Sequence, residues 1–405
     1  ATRGLKDRFI EAVRQRSHSA GPLGVELSGG LDSSGLASVL TMLTNEKIKI
    51  NAYTHSVASE GPFRSKSEME FSSALIEKYN SIHHSEITEE NARGGFRSLQ
   101  EALTRLYKPI NLHYAMNSDL LFEMAGHMGT TVMYSGFGGD EGISNLGNGY
   151  WNELIRNGQH AKLRKELKSM AWSHGGRFHK HLIKSYVNYY VPWVFIPFRK
   201  DWRADMYRFF AIEKRLARKY RMRRRFFRTN TPPAIPDIRA MQYFRLMYPN
   251  IPERVEETAL MAQEHGLEYR YPFLDVKLIE FFYSLPSDYK YKNGMGRFLF
   301  SRAMEGILPD KIRMRTNKSG NTITNVFARV FKDRELFQAM IDESRQRNQY
   351  HYVDYDKLQY MLDILKNKEA FREEDFDLRA FQSAMSVLIL QQWQRQGKMD
   401  IGLKH

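Results

Sequence analysis

Hydrophobic and polar positions alternate along the first 145 residues in a way that predicts strands and helices in turn. Short apolar runs predict strands at 24–27, 48–56 and 130–134, and 83–87 is a candidate for a further strand. Apolar positions spaced three and four residues apart predict helices at 5–16, 32–43, 68–79 and 119–127. Alternating strands and helices, with loops at the strand ends, are typical of a doubly wound parallel sheet. We therefore predict an α/β fold for this part of the chain.

The pattern changes after residue 150, where helical periodicity replaces the alternation. A proline-containing segment near 229–236 interrupts the helices and is typical of a linker. We therefore predict an α/β domain at 1–150 and a mainly helical half at 151–405, which would hold the substrate and close over it.

Composition excludes several kinds of site. The chain has no cysteine, which rules out disulfides, thiolate metal sites and a cysteine nucleophile. Its most apolar stretch, 187–198, is short and contains two prolines, so it cannot span a bilayer. Residues 1–4 lack the apolar segment of a signal peptide. These features fit a reducing compartment, and we expect a cytoplasmic location without membrane contact.

Positive charge is concentrated in one segment. The 61 lysines and arginines exceed the 46 acidic residues by 15, and nine of the cations lie between Lys214 and Arg228, where there is no acid. Interleaved aromatic residues would allow the segment to bind nucleic acid, and an acidic peptide would fit as well. A solvated helix face explains the same composition. Nothing around the segment resembles a nucleic-acid-binding module, so its role stays open.

Candidate chemistry lies in the segment that follows the first strand. Residues 28–34 read Ser-Gly-Gly-Leu-Asp-Ser-Ser. The glycines allow backbone N–H groups to approach an anion, the serines add hydroxyl donors, and the next helix presents its N-terminus to the same place. The spacing matches neither a Walker loop nor a dinucleotide-binding loop. Asp32 inside a phosphate loop requires a cation, most simply Mg²⁺ that bridges phosphate oxygens.

Four motifs together resemble the asparagine synthetase family of ATP pyrophosphatases. They are the loop 28–34, the segment Ser135–Glu141 at the end of a later strand, the segment Tyr271–Asp275, and Leu308-Pro309 followed by Arg315–Lys318. They occur in the family's order between about residues 5 and 327. The resemblance implies a parallel sheet of about five strands with helical additions. It also implies AMP-forming amide synthesis that uses ATP and Mg²⁺.

The resemblance implies roles for individual residues. Asp32 and Asp140 match the family's Mg²⁺ ligands, and Lys318 matches the lysine that stabilises charge on the departing pyrophosphate. A substrate carboxylate would attack the α-phosphorus of ATP, and an amine would then attack the acyl-adenylate. The residues implied around the nucleotide are Leu27, Ser28, Gly29, Gly30, Asp32, Ser33, Ser34, Ser135, Gly136 and Gly138.

One departure from the family concerns the source of nitrogen. Glutamine-dependent members carry an N-terminal glutaminase domain whose first residue is a cysteine. This chain begins where that domain would end and contains no cysteine, so we expect the glutaminase-like domain to be absent. The nitrogen would then come from free ammonia, from another polypeptide or from an amine on the substrate.

A second departure is Phe137. Asparagine-forming members have an acid at this position, and β-lactam-forming members have a tyrosine. Phenylalanine has no acceptor atom for the ammonium of an amino acid and no group that takes a proton. Glu268, in a neighbourhood where the β-lactam-forming relatives use a glutamate, is a candidate catalytic base. An ion pair between Glu268 and Arg270 is the alternative.

These departures resemble the peptide-modifying branch of the family, the lasso-peptide cyclases. Those enzymes activate an Asp or Glu side chain of a peptide and let its N-terminal amine close a ring. We therefore predict a macrolactam cyclase with a peptide substrate and a leader-peptide-binding or protease partner. Two alternatives stay open. One is an asparagine synthetase that uses ammonia from solution or from a separate glutaminase, and the other is a protein of this fold that acts on tRNA or binds RNA.

Overall fold

A computed structural model gives the fold of most of the chain. The described residues are 1–19, 21–45, 48–55, 69–88, 94–106, 108, 114–174, 176–191, 210–230, 235–315, 323–347, 352–366 and 378–398. The predicted catalytic Lys318 and part of the predicted linker near 229–236 lie outside them.

A five-stranded parallel sheet lies at the centre of the fold. Its strands are β1 (Leu23–Glu26), β2 (Ile50–His55), β3 (Ile82–Ile87), β4 (Val132–Tyr134) and β5 (Glu268–Arg270). They lie in the order β3-β2-β1-β4-β5, and every neighbouring pair is parallel. The prediction of an α/β fold with a parallel sheet is therefore confirmed. The first four strands lie where the sequence analysis expects them, whereas the local pattern does not predict β5.

Helices surround the sheet. Before β5 they are α1 (Thr2–Arg14), α2 (Leu31–Leu43), α3 (Met69–Lys78), α4 (Gly95–Leu106), α5 (Tyr114–His127), α6 (Tyr150–Arg156), α7 (His160–His174), α8 (Phe178–Tyr190), α9 (Lys214–Lys219), α10 (Met222–Asn230), α11 (Ile238–Leu246) and α12 (Asn250–Gln263). After β5 come a 3-10 turn (Pro272–Leu274) and the helices α13 (Val276–Ser284), α14 (Ser287–Lys290), α15 (Phe298–Ala303), α16 (Asp310–Arg313), α17 (Ile323–Lys332), α18 (Arg334–Arg347), α19 (Tyr355–Lys366) and α20 (Leu378–Arg395). Within the described ranges, none of these helices is both long and apolar enough to cross a membrane.

The two faces of the sheet bury different sets of side chains. Successive strand residues point to opposite faces. On β4, Val132 and Tyr134 pack into a core with α1, α2 and α15, whereas Met133 packs into a second core with α4, α5 and α17 to α20. Burial on both faces explains why the central strand β4 is a continuous apolar run without polar alternation.

The sheet takes its edge strand from the predicted second half of the chain. β5 pairs with β4, and Phe273, α13 and α15 join the core on the α1 side of the sheet. The boundary at residue 150 stays a prediction, although the chain on both sides of it contributes to the sheet.

A buried ion pair joins α17 to α4 and α5. The Arg329 guanidinium donates to the two carboxylate oxygens of Asp119 at 2.7 and 2.8 Å, and also to the Ser98 hydroxyl. The two ionic side chains are only 2 % and 4 % exposed. Burial lowers the pKa of the neighbouring His55 to about 4, so this imidazole is neutral at pH 7. Removing either partner of the pair would leave a buried charge without compensation.

We expect Asp119→Ala to lower the free energy of unfolding by about 3–5 kcal/mol, because Arg329 would remain charged inside the core. The control is Asp356→Ala, which removes an exposed ion pair with Arg345 and should cost less than about 1 kcal/mol. Urea denaturation followed by circular dichroism measures both changes. Equal costs for the two variants would contradict this account of the buried pair.

Candidate active site

The serine-glycine loop connects the end of β1 to the start of α2. It starts from a fixed position, because Leu27 is buried and hydrogen-bonded to β2 through its N–H and its carbonyl oxygen. The hydroxyl oxygens of Ser28 and Ser33 lie 3.1 Å apart. Gly29 has a φ of +68°, a left-handed conformation that favours glycine. The other predicted residues of this loop are Gly30, which is the N-cap of α2, and Asp32, Ser33 and Ser34, which lie in its first turn.

The start of α2 is suited to bind an anion. Within the described chain, no side chain caps this helix at Gly30. The first N–H groups of a helix have no partner inside it, and the helix dipole places partial positive charge at this end. The loop geometry therefore supports the predicted phosphate-binding role, which stays a prediction.

The second loop follows β4 and carries the other predicted residues of the site. Ser135 is buried, and its N–H donates to the carbonyl oxygen of the last residue of β5. The chain then turns back, with the Gly142 N–H donating to the Gly138 carbonyl oxygen at 2.9 Å. This turn holds Gly136, Gly138 and Asp140 at the C-terminal ends of the strands. Ligands of parallel α/β sheets bind at this edge.

Glycines let the two loops come into contact. A Cβ atom on Gly136 would lie 2.9 Å from the Ser33 nitrogen, and one on Gly139 would lie 2.6 Å from the carboxyl carbon of Asp32. Both distances are too short for a real side chain, so a larger residue would push the loops apart. Asp140 follows Gly139, so the two predicted metal ligands lie on the segments that meet here.

The donor set at this place fits Mg²⁺. Asp32 and Asp140 offer hard carboxylate oxygens, and Mg²⁺ in nucleotide sites commonly takes one or two carboxylates together with phosphate oxygens. In the described ranges, no group of three or more His, Asp or Glu side chains could hold a metal by itself. Phosphate oxygens and water would therefore have to complete the coordination. The Arg297 guanidinium is bonded to the Asp140 carboxylate and balances its charge.

Glu268, the candidate base from the sequence analysis, lies at the N-terminal end of its strand, away from the two loops. It opens β5 level with Val132, the first residue of β4, whereas both loops leave from the C-terminal strand ends. Its side chain is 62 % exposed and bonded to Arg270 at 2.7 and 2.9 Å. These bonds lower the pKa of Glu268. The structure therefore shows the ion-pair alternative and does not bring Glu268 to the loops.

A carboxylate that the sequence interpretation missed lies beside both loops. Glu26 ends β1, where its Oε2 accepts a hydrogen bond from the Ser135 hydroxyl and its Oε1 accepts one from the Tyr269 hydroxyl at 3.1 Å. Arg254 Nη2 lies 3.4 Å from Oε2. Burial raises the pKa of Tyr269 well above its usual value, so this hydroxyl stays protonated. The sequence does contain a signal, because Glu26 is the one acid in the otherwise apolar segment 23–27.

A cation covers the ring of Phe137. The guanidinium carbon of Arg254 lies 4.6 Å from the ring centre, and the Tyr271 ring packs against Phe137 in a T-shaped arrangement, with 6.2 Å between ring centres. Burial raises the pKa of Tyr271 to about 12, so this side chain is neutral. Arg254 therefore already occupies one face of this ring, a surface that could otherwise bind an ammonium by a cation–π contact.

The basic segment between Lys214 and Arg228 is presented to solvent. Its nine lysines and arginines are all exposed on α9, on α10 and in the turn between them. This exposure is compatible with an anionic partner and with a solvated surface, so the predicted partner stays a prediction.

Two comparisons with known proteins bear on these loops. The Asparagine synthase family model matches residues 4–395, which include both loops and all five strands. A protein of Methanocaldococcus jannaschii, named as a candidate glutamine-hydrolysing asparagine synthetase 2, is 30 % identical over 155 residues. This second match covers 37 % of the present chain and 28 % of the archaeal protein. The chain thus matches only a minor part of that relative's length.

We expect Gly139→Ala to displace the Asp32 carboxylate and to weaken the binding of magnesium ATP about tenfold, which corresponds to about 1.4 kcal/mol. Isothermal titration calorimetry measures the affinity. The control is Gly158→Asn. An added Cβ atom at this glycine would meet no described atom within 4 Å. Its φ of +67° is a left-handed conformation that asparagine tolerates. Unchanged affinity in Gly139→Ala would show that Asp32 does not act on the bound nucleotide.

Proposed function

The chain belongs to the asparagine synthase family, and on that premise we propose that it is an ATP-dependent, AMP-forming amide synthetase. In the first half-reaction, a substrate carboxylate attacks the α-phosphorus of ATP and pyrophosphate leaves. In the second, an amine attacks the acyl-adenylate and AMP leaves. The observation that carries this proposal is the contact between the two loops, because it brings the start of α2 and two carboxylates to one edge of the sheet.

The residues of the two loops have distinct roles in this mechanism. The N–H groups at the start of α2 and the hydroxyls of Ser28 and Ser33 bind phosphate oxygens. Asp32 and Asp140 would hold Mg²⁺, which would screen the phosphate charges and make the α-phosphorus more open to attack. Lys318, which lies outside the described residues, is included on the family resemblance alone and would stabilise the departing pyrophosphate.

We further propose that the activated carboxylate belongs to a peptide. A free amino acid such as aspartate carries an ammonium next to its carboxylates, and an enzyme that selects it needs an acceptor for that charge. Phe137 offers no acceptor, and Arg254 covers its ring face. An Asp or Glu side chain inside a peptide has no such ammonium, because its backbone nitrogen is acylated. Attack by the peptide's own N-terminal amine then forms a macrolactam, and a leader-peptide-binding or protease protein would be a partner.

Asparagine synthesis from ammonia is the second candidate function. The name of the archaeal relative favours it, and ammonia from solution would need no glutaminase. Action on RNA is a third interpretation, which the nine exposed cations between Lys214 and Arg228 support.

ATP–pyrophosphate exchange tests the first half-reaction. We expect exchange that requires Mg²⁺ and a peptide containing Asp or Glu, with AMP as the nucleotide product. Asp32→Asn should lower the exchange rate by about 100-fold, because a metal ligand at the reacting phosphates is lost. Asp356→Asn, at an exposed position on α19, is the control and should match the wild type. Formation of ADP in place of AMP would contradict the mechanism.

Product analysis by mass spectrometry distinguishes the candidate substrates. We expect the peptide to lose one water on incubation with the enzyme and ATP, and no asparagine to form from aspartate and ammonium. Prompt asparagine formation would overturn the peptide assignment and leave amide synthesis intact. Exchange that depends on added tRNA would favour the RNA interpretation.

A further inference from the structure

We propose that Glu26 receives the proton of the attacking amine in the second half-reaction. This inference rests on the proposed amide synthesis and assigns one step within it. An amine is protonated at neutral pH and cannot attack until it has lost a proton. Phe137 has no titratable atom, and Glu268 lies at the far end of β5. The step therefore needs another group beside the loops.

Glu26 lies at the junction of the two loops. It is the last residue of β1, and only Leu27 separates it from the serine-glycine loop. Its carboxylate is bonded to the hydroxyl of Ser135, the first residue of the second loop. That hydroxyl also accepts a hydrogen bond from the Phe137 N–H at 3.3 Å. A carboxylate that connects both loops lies close to a nucleotide bound between them, which is where the amine has to attack.

Three donors orient the Glu26 carboxylate. The Ser135 hydroxyl and Arg254 approach Oε2, and the Tyr269 hydroxyl approaches Oε1. Because burial keeps Tyr269 protonated, it remains a donor and cannot take the proton of the amine itself. The two hydroxyls hold the carboxylate in one orientation without filling all the lone pairs of its oxygens.

The contact with Arg254 is the one that an ammonium can replace. The distance of 3.4 Å between Nη2 and Oε2 exceeds the roughly 2.7–2.9 Å of a close charge-assisted hydrogen bond. Arg254 also has a second contact, with the Phe137 ring at 4.6 Å, so it can release Glu26 without losing its place. The Glu26 side chain is 21 % exposed, which leaves part of it accessible to a substrate.

The proposed step is the aminolysis of the acyl-adenylate. The ammonium transfers one proton to the Glu26 carboxylate. The neutral amine then attacks the acyl carbon, the N–C bond forms, and the C–O bond to AMP breaks with its electron pair on the phosphate oxygen. The second proton leaves the nitrogen to that phosphate, and Glu26 returns its own proton to solvent.

Glu26→Gln separates the two half-reactions. The probe is a synthetic peptide with an N-terminal glycine and one internal glutamate, selected because it supports ATP–pyrophosphate exchange with the wild type. We expect the variant to keep exchange within about threefold and to lose about 100-fold or more in amide formation. Hydroxylamine is neutral at pH 7 and needs no base, so it should accept the acyl group at close to the wild-type rate. Glu26→Asp keeps a carboxylate and should retain more amide formation than Glu26→Gln.

Two further variants complete the experiment. Glu86→Gln, at an exposed position on the edge strand β3, is the control and should change neither half-reaction. The proposed role of Glu26 is wrong if Glu26→Gln forms amide at the wild-type rate, if it also loses exchange, or if hydroxylamine does not rescue it. In each of these cases, exchange by the wild type still supports the proposed function. Loss of amide formation confined to Glu268→Gln would assign the step to Glu268. Absence of exchange in the wild type would overturn the proposed function and the role of Glu26 together.

Discussion

The close contact between the two glycine loops is the constraint on which the rest of the structure depends. Gly136 and Gly139 leave no room for a side chain, so the second loop rests directly on the first turn of α2. Asp32 and Asp140 lie on these two segments, one on each. The Arg297 guanidinium is bonded to the Asp140 carboxylate and offsets its charge. The pairing of β1 with β4 is what allows the contact, because it aligns the two strand ends.

Local sequence patterns are sufficient to predict the positions of most strands of the sheet. The apolar runs of β1, β2 and β4 and the helix after the serine-glycine loop were predicted to within a few residues of their observed bounds. β5 is different, because it has three residues, two of which are charged. It is a strand because it pairs with β4, and no local pattern contains that information.

The candidate site was predictable in its loops and residue types but not in its contacts across strands. Glu268 lies next to a family motif in the sequence, yet the end of β5 at which it lies depends on the register with β4. Glu26 was visible as an acid in an apolar strand. Its partners Ser135, Tyr269 and Arg254 lie on other elements, 109, 243 and 228 residues away, and only the folded chain brings them together.

The strand order has a consequence for how the chain folds. β5 pairs with β4 although about 130 residues separate them, so the chain leaves the sheet after β4 and returns to it only after α12. A pairing that closes so long a loop raises the contact order and is slow to form. During synthesis, the edge strand beside the second loop is added only after Arg270 has been made. The segment between β4 and β5 must leave β5 within reach of β4, so completion of the sheet edge beside the second loop depends on the path of that segment.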